Sequence, residues 1–309
     1  MNTDSPQNSQ GLSRRSLGKL AAGAAVAALL PKSASAAPAS AEIPPEDYKV
    51  TSGRIRQSVM GWCFNPMPAL ELARACKKMG LVAMEGVNRD HYSAIKKLGL
   101  NISLVSSHGF KVGPCDRANH EVCEQKLREG IDLAVEVGAP GVITFTGMRA
   151  KGLTDAQMSK NCVDLWKKVA PYAEEKKINL IFEHLNTRDD SHPMKGHPGY
   201  YGDDVDLCVD LIRQVDSPRM KLLFDVYHVQ VMNGDVIRRI GLYKDVIGHY
   251  HTAGNPGRGE LDDDQEINYP AVMRAILKTG YKGYVAQEFI PNWDDKLGAL
   301  RHGVKVCDV

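Results

Sequence analysis

Leu180-Ile181-Phe182-Glu183, Leu222-Leu223-Phe224-Asp225, Ile247-Gly248-His249-Tyr250-His251 and Tyr284-Val285-Ala286-Gln287-Glu288 decide how this sequence folds. Each is a short apolar run of the length of a buried strand, followed by polar or Gly-rich residues. Each also ends on a carboxylate or an imidazole. Two Glu, one Asp and one His delivered from successive strands of one sheet make the inventory of a divalent-metal site with acid/base groups.

Working outward, strand-like and helix-like segments alternate from about residue 53 onward. Strands are predicted over 56–64, 81–87, 100–106 and 141–146, then 179–183, 220–225, 246–251 and 283–288. Apolar residues at helical spacing fall between them, over 66–80, 91–98, 121–137, 154–177, 204–215, 235–242 and 270–279. Thr154-Asp155-Ala156-Gln157 has the spacing of a capping box, and Gly138-Ala139-Pro140 stops the helix before it. Eight alternations of fully apolar strands with helices predict an α/β fold, a closed (β/α)8 barrel. An open doubly wound sheet is the rival. It would carry a Gly-rich phosphate loop after its first strand, and Gly61-Trp62-Cys63-Phe64-Asn65-Pro66 is not one.

A net charge of +2 gives no nucleic-acid footprint, and 43% hydrophobic residues can fill a large core. The start of the chain reads separately. Ser13-Arg14-Arg15-Ser16-Leu17-Gly18-Lys19 has the form of a twin-arginine export motif. An apolar Ala/Gly-rich stretch and Ala34-Ser35-Ala36, a small-residue cleavage site, follow it. Residues 1–36 are therefore expected to be an export signal, 37–52 a linker and 53–309 the barrel. The address is periplasmic or exported, with the twin-arginine machinery as a partner. The seven cysteines include no CxxC pair and suggest neither a disulfide framework nor a thiolate zinc site.

In such barrels the site lies at the C-terminal strand ends, where Glu183, Asp225, His251 and Glu288 fall. Three carboxylates and one imidazole suit Mg2+, Mn2+ or Co2+, and Zn2+ also fits. Glu183 and Glu288 are a carboxylate pair able to take and return a proton. His228, three residues after Asp225, and Arg258, on a Gly-rich loop expected to be mobile, are substrate-binding candidates. His108, just past the third strand, is another, against the plainer reading of a loop histidine. Asn186 and Arg188 follow Glu183, and Asp262-Asp263-Asp264 reads as a solvated loop.

Phe182-Glu183-His184-Leu185-Asn186, Leu223-Phe224-Asp225-Val226-Tyr227-His228-Val229-Gln230 and His249-Tyr250-His251-Thr252-Ala253-Gly254 resemble the xylose-isomerase-like barrel superfamily. Gly259-Glu260-Leu261-Asp262 leading to Glu266-Ile267-Asn268-Tyr269-Pro270 is similar to hydroxypyruvate isomerases and ketose 3-epimerases. The resemblance implies Glu183, Asp225, His251 and Glu288 as metal ligands, with Glu183 and Glu288 also moving a proton through an enediolate. It implies His228 and Arg258 as holders of substrate oxygens, a small sugar or hydroxy-acid substrate, and a homo-oligomer. One position departs: His251 stands where some hydroxypyruvate isomerases have Gln and the epimerases have His.

The expected activity is thus isomerisation of small hydroxy-carbonyl compounds, with ketose 3-epimerisation as the alternative. An endonuclease on the same scaffold would need three metals, more His ligands and a basic groove, and no nucleic-acid partner is expected. A carbohydrate-binding barrel without turnover would have no use for the glutamate pair.

Overall fold

The computed structural model describes residues 42–309. The expected export signal, 1–36, and residues 37–41 of the expected linker lie outside them. Eight strands follow one another along the chain: Arg56–Val59 (β1), Ala83–Met84 (β2), Asn101–Ile102 (β3), Gly141–Thr144 (β4), Asn179–Glu183 (β5), Met220–Asp225 (β6), Ile247–Thr252 (β7) and Tyr284–Gln287 (β8). Six pair in the order β1-β8-β7-β6-β5-β4, β2 pairs with β3, and every pairing is parallel.

Backbone hydrogen bonds beyond the regular ladders close the ring. Between β1 and β2, Val82 N–H donates to Gln57 O and Glu85 N–H to Val59 O, both at 3.0 Å. Between β3 and β4, Val105 bridges Val142, with Val105 N–H on Gly141 O at 3.1 Å and Ile143 N–H on Val105 O at 2.9 Å. The eight strands form the closed barrel expected from the alternation.

The helices are Ala69–Met79 (α1), Tyr92–Lys97 (α2), His120–Val137 (α3), Asp155–Lys176 (α4), Val205–Val215 (α5), Val226–Met232 (α6), Val236–Leu242 (α7), Tyr269–Lys278 (α8) and Lys296–Cys307 (α9). Local chemistry sets their ends. The Thr154–Gln157 capping box forms at α4, and α3 stops on Gly138 at φ 72°.

Several elements differ from the reading of the sequence, among them β2 and β3, which are only two residues long. The first strand stops at Val59, because Gly61 N–H turns onto Glu85 O at 2.8 Å and the chain enters a 3-10 turn over Gly61–Phe64. α6 begins directly after β6, started by the Asp225 side chain on the amides of Tyr227 and His228. α9 follows β8 and closes the outer ring of helices.

Residues 42–52 lie against the barrel. Arg301 holds Pro44 O at 3.2 Å, and the Asp308 carboxylate takes the amides of Thr51, Ser52 and Gly53 at 2.6–3.1 Å. The large core fills the space between strands and helices, including Leu127, Trp166, Phe182, Phe224 and Ile276. A second cluster inside the barrel contains Leu104, Ile143, Phe145, Ile181, Leu185, Tyr200 and Leu223, side chains of β3 to β6 and the loops that follow them.

Candidate active site

Glu183 ends β5, Asp225 ends β6, His251 lies near the end of β7 and Glu288 follows β8. All four are at least 96% buried, being no more than 4% exposed. One potential ligand atom from each lies within 4.8 Å of the others. His251 Nδ1 is 2.6 Å from Glu288 Oε2 and 3.5 Å from Glu183 Oε1, and none of these three atoms makes an aligned hydrogen bond, although Glu288 Oε2 is ion-paired to Arg258. Ligands about 2.1 Å from a shared cation and at right angles to one another sit roughly 3 Å apart, so this spacing fits a divalent ion. Buried polar atoms left without partners are costly, and a cation would satisfy all three at once.

A second acid–imidazole group, Glu85, His249 and His251, lies beside the first. Its carboxylate is fully engaged. Glu85 Oε1 is 2.8 Å from His251 Nε2, its Oε2 is 3.0 Å from His249 Nε2, and the Ser103 hydroxyl donates to Oε2. Hydrogen bonds account for this group without an ion, whereas the Glu183–Asp225–His251–Glu288 group fits one.

Asp225 does two jobs with one side chain. Its Oδ1 caps α6 through Tyr227 N–H at 2.8 Å and His228 N–H at 3.3 Å, which fixes the carboxylate and leaves Oδ2 toward the site. Arg258 Nη2 lies 3.3 Å from that Oδ2 and 2.7 Å from Glu288 Oε2. The guanidinium so bridges two of the four candidate ligands.

The loop expected to be mobile is instead pinned, and Arg258 is only 2% exposed. Its residues bond across the turn, Gly254 N–H to Gly259 O at 2.8 Å, and Tyr269 OH clamps Ala253 N and O at 2.9 and 2.6 Å. Glu266 N–H reaches Asn255 O at 2.8 Å, so the Glu266–Pro270 stretch singled out in the sequence serves to hold this loop. Arg258 itself stands at φ 53°, a left-handed backbone that a long side chain rarely adopts and that the surrounding contacts maintain.

His228 is fully buried beside the site. Asn186 donates to its Nδ1 from the backbone at 3.1 Å and from the side chain at 2.7 Å. The ring proton therefore sits on Nε2, which is 3.5 Å from Asp225 Oδ2 and has no other partner. His108 requires a correction. Its Nδ1 meets Gly109 O and Val112 O at 2.9 and 2.6 Å and its Nε2 meets Thr144 Oγ1 at 3.0 Å, so both nitrogens tie its loop to β4 and neither is free for substrate.

Above the polar floor is a cavity of about 210 Å³, lined by Glu85, Glu183, Glu288 and Arg258 and walled by Trp62, Phe110, Phe145, Leu185, Met194 and His197. Its size suits a small metabolite. The sequence reading missed Glu85 although its signal was present: Leu81-Val82-Ala83-Met84-Glu85 is an apolar run ending on an acid, like the four later runs. Trp62, Phe110 and His197 carry no local signature, because they come from separate loops that only the barrel brings together.

Burial, with the negative charges of Glu288 and Asp225, pushes Glu183 up to about 7. Burial likewise raises Asp225 to about 6 against the pull of Arg258. Glu288 goes the other way: burial opposes ionisation, but Arg258 and His251 hold it down to about 2. A carboxylate must lose its proton before it takes a cation. Between pH 8 and pH 5, divalent-ion affinity should therefore fall, by about tenfold per unit once Glu183 holds its proton. Calorimetric Mn2+ titrations across that range check this, and a flat profile would contradict it.

Residues 70–307 match the family described as xylose isomerase-like TIM barrel. A protein of Drosophila melanogaster named putative hydroxypyruvate isomerase is 28% identical over 229 residues, covering 69% of this chain and 84% of that protein. A solved structure titled AP endonuclease, family 2, from Brucella melitensis superposes with TM-score 0.65 at 25% identity, covering 79% and 96% of the two chains. An L-ribulose 3-epimerase structure superposes with TM-score 0.65 at 17% identity, covering 81% and 92%, a likeness of fold alone.

Proposed function

Since the chain belongs to the xylose isomerase-like TIM barrel family and is an isomerase, we propose a metal-dependent enzyme that moves a proton between adjacent carbons of a small hydroxy-carbonyl compound, of the hydroxypyruvate isomerase type. One observation carries this reading: Glu183 Oε1, His251 Nδ1 and Glu288 Oε2 converge, buried and without an aligned hydrogen bond, Arg258 being the ion-pair partner of Glu288 Oε2. Glu183, Asp225, His251 and Glu288 would hold the cation. When bound it supplies the positive charge that acidifies the hydrogen beside the substrate carbonyl.

The chain's own groups do the rest. Glu183 and Glu288 approach the same point from β5 and β8, so one takes the proton and it, or its partner, returns it. Arg258 fixes Glu288 at 2.7 Å and closes the floor against water. His228 keeps an Nε2–H beside Asp225 as a donor for a substrate oxygen. The apolar walls exclude water, which strengthens each charge interaction at the floor.

Ketose 3-epimerisation is the second reading, favoured by His251 as the imidazole of the ligand set. An endonuclease would need three cations with more imidazole and a basic groove. Among the described residues, the group with unpartnered atoms offers three carboxylates and one imidazole beneath an apolar cavity.

Turnover in D2O separates these readings. Hydroxypyruvate, 2-oxo-tetronate and the free ketoses tagatose and psicose would be assayed by NMR. Isomerisation should place deuterium on the carbon next to the one that lost its proton; epimerisation should place it on the same carbon with inverted configuration. Binding of these compounds with no exchange of carbon-bound hydrogen would leave only the non-catalytic barrel.

A further inference from the structure

We infer that Glu85 is a positioning residue that locks His251 in the one neutral tautomer able to hold a cation; this rests on the cation reading above. β2 and β7 are not neighbours in the barrel, so Glu85 meets His249 and His251 across its interior. The encounter depends on an irregularity. The β6–β7 register shifts between Leu222 and Leu223, with Gly248 as the extra residue, and His249 and His251 then project to the same inner face. A Cβ on Gly248 would lie 2.6 Å from Lys221 Cβ and 2.8 Å from Ile181 Cδ1, so only glycine fits that step.

Glu85 is itself held. It is 1% exposed, its Oε2 receives the Ser103 hydroxyl, and Ser103 pairs with Ser58 at 2.6 Å. Gly86, next in the chain, stands at φ 64°, and a Cβ there would meet Met60 Sδ at 1.9 Å. The carboxylate thus has one place to be.

Each ring nitrogen of His251 faces a carboxylate oxygen, Nε2 that of Glu85 at 2.8 Å and Nδ1 that of Glu288 at 2.6 Å. A cation between Nδ1, Glu183 and Glu288 would displace any proton there, and the Glu85 contact then keeps the remaining proton on Nε2. With the cation bound, the Nδ1 lone pair would point to it beside Glu183 and Glu288, and no aligned hydrogen bond competes for Nδ1 there. Partners of this kind make a ligating imidazole more basic and fix its plane. His249, 3.0 Å from Oε2, occupies the other oxygen and keeps the carboxylate from turning away.

The test is Mn2+ titration by calorimetry on chelator-stripped protein, together with long-range 1H–15N spectra of the imidazoles in the Zn2+-loaded protein. Glu85→Gln should bind Mn2+ about 10–100-fold more weakly while keeping a wild-type near-UV circular dichroism spectrum. The wild-type spectrum should show His251 protonated on Nε2. Should Glu85→Gln fail to fold, that wild-type spectrum decides. Equal Mn2+ affinity in Glu85→Gln, or a wild-type proton on Nδ1, overturns the inference and leaves the cation reading standing. A wild-type protein that binds no divalent ion overturns both.

Discussion

Glu183→Gln should lose about 10²–10⁴ in kcat at saturating Mn2+, the range seen when a positioned acid/base group is removed. The amide can neither accept the substrate proton nor carry ligand charge, yet its shape is that of the glutamate it replaces. The cation-free fold should tolerate this change well. Glu183 is raised to about 7 in the folded chain, above an ordinary carboxylate. A carboxyl raised in this way favours the fold below its unfolded value, near pH 4.5, and that contribution is lost as pH rises through 7.

At pH 8, therefore, the neutral amide removes a charge the fold resists, and the melting temperature of the stripped protein should hold or rise. Glu288→Gln should cost as much in kcat but behave oppositely in stability. Glu288 is the partner of Arg258 at 2.7 Å, and without it the buried guanidinium keeps Asp225, at 3.3 Å, as its remaining ion-pair contact among the described residues. Near-wild-type kcat in either variant would remove that residue from the proton transfer. Matching stability changes in the two would remove the electrostatic distinction drawn between them.

Chelation should abolish turnover, and Mn2+, Co2+ or Mg2+ returned singly should restore it to different extents. The loss should also be visible without a substrate. A ligand present at 100 times its dissociation constant stabilises a fold by about 2.7 kcal/mol. For a domain of this size that corresponds to a melting temperature roughly 5 °C higher or more. The stripped protein should remain folded, because Arg258 already neutralises part of the site and Glu85 keeps its own hydrogen bonds. Full activity after exhaustive chelation, with no bound metal by elemental analysis, would dismiss the cation from the reaction.

Much of this was legible in the chain. Strand runs 179–183 and 220–225 match β5 and β6 to the residue, because buried parallel strands are apolar on both faces and end abruptly where the loops begin. β2 and β3 pair over only two residues each, and their longer apolar runs overstate them. Glu85 went unread because its strand stands far from the others in sequence, and the carboxylate was not weighed with theirs. His108 was over-read: a histidine just past a strand looks the same whether its nitrogens meet a ligand or its own loop.

The sequence by itself determined the alternation of strands and helices and which acids and imidazoles arrive at the rim, since hydrophobic period and strand-end position are local properties. Closure of the ring, the burial of Arg258 and the contact from Glu85 to His251 were decided only in three dimensions, where residues 166 positions apart become hydrogen-bond partners. The proposed reaction rests on a cation that the side chains gathered at one end of the barrel would hold. If those atoms found ordinary partners in solution and no ion displaced them, the reaction proposed for this fold would have no origin.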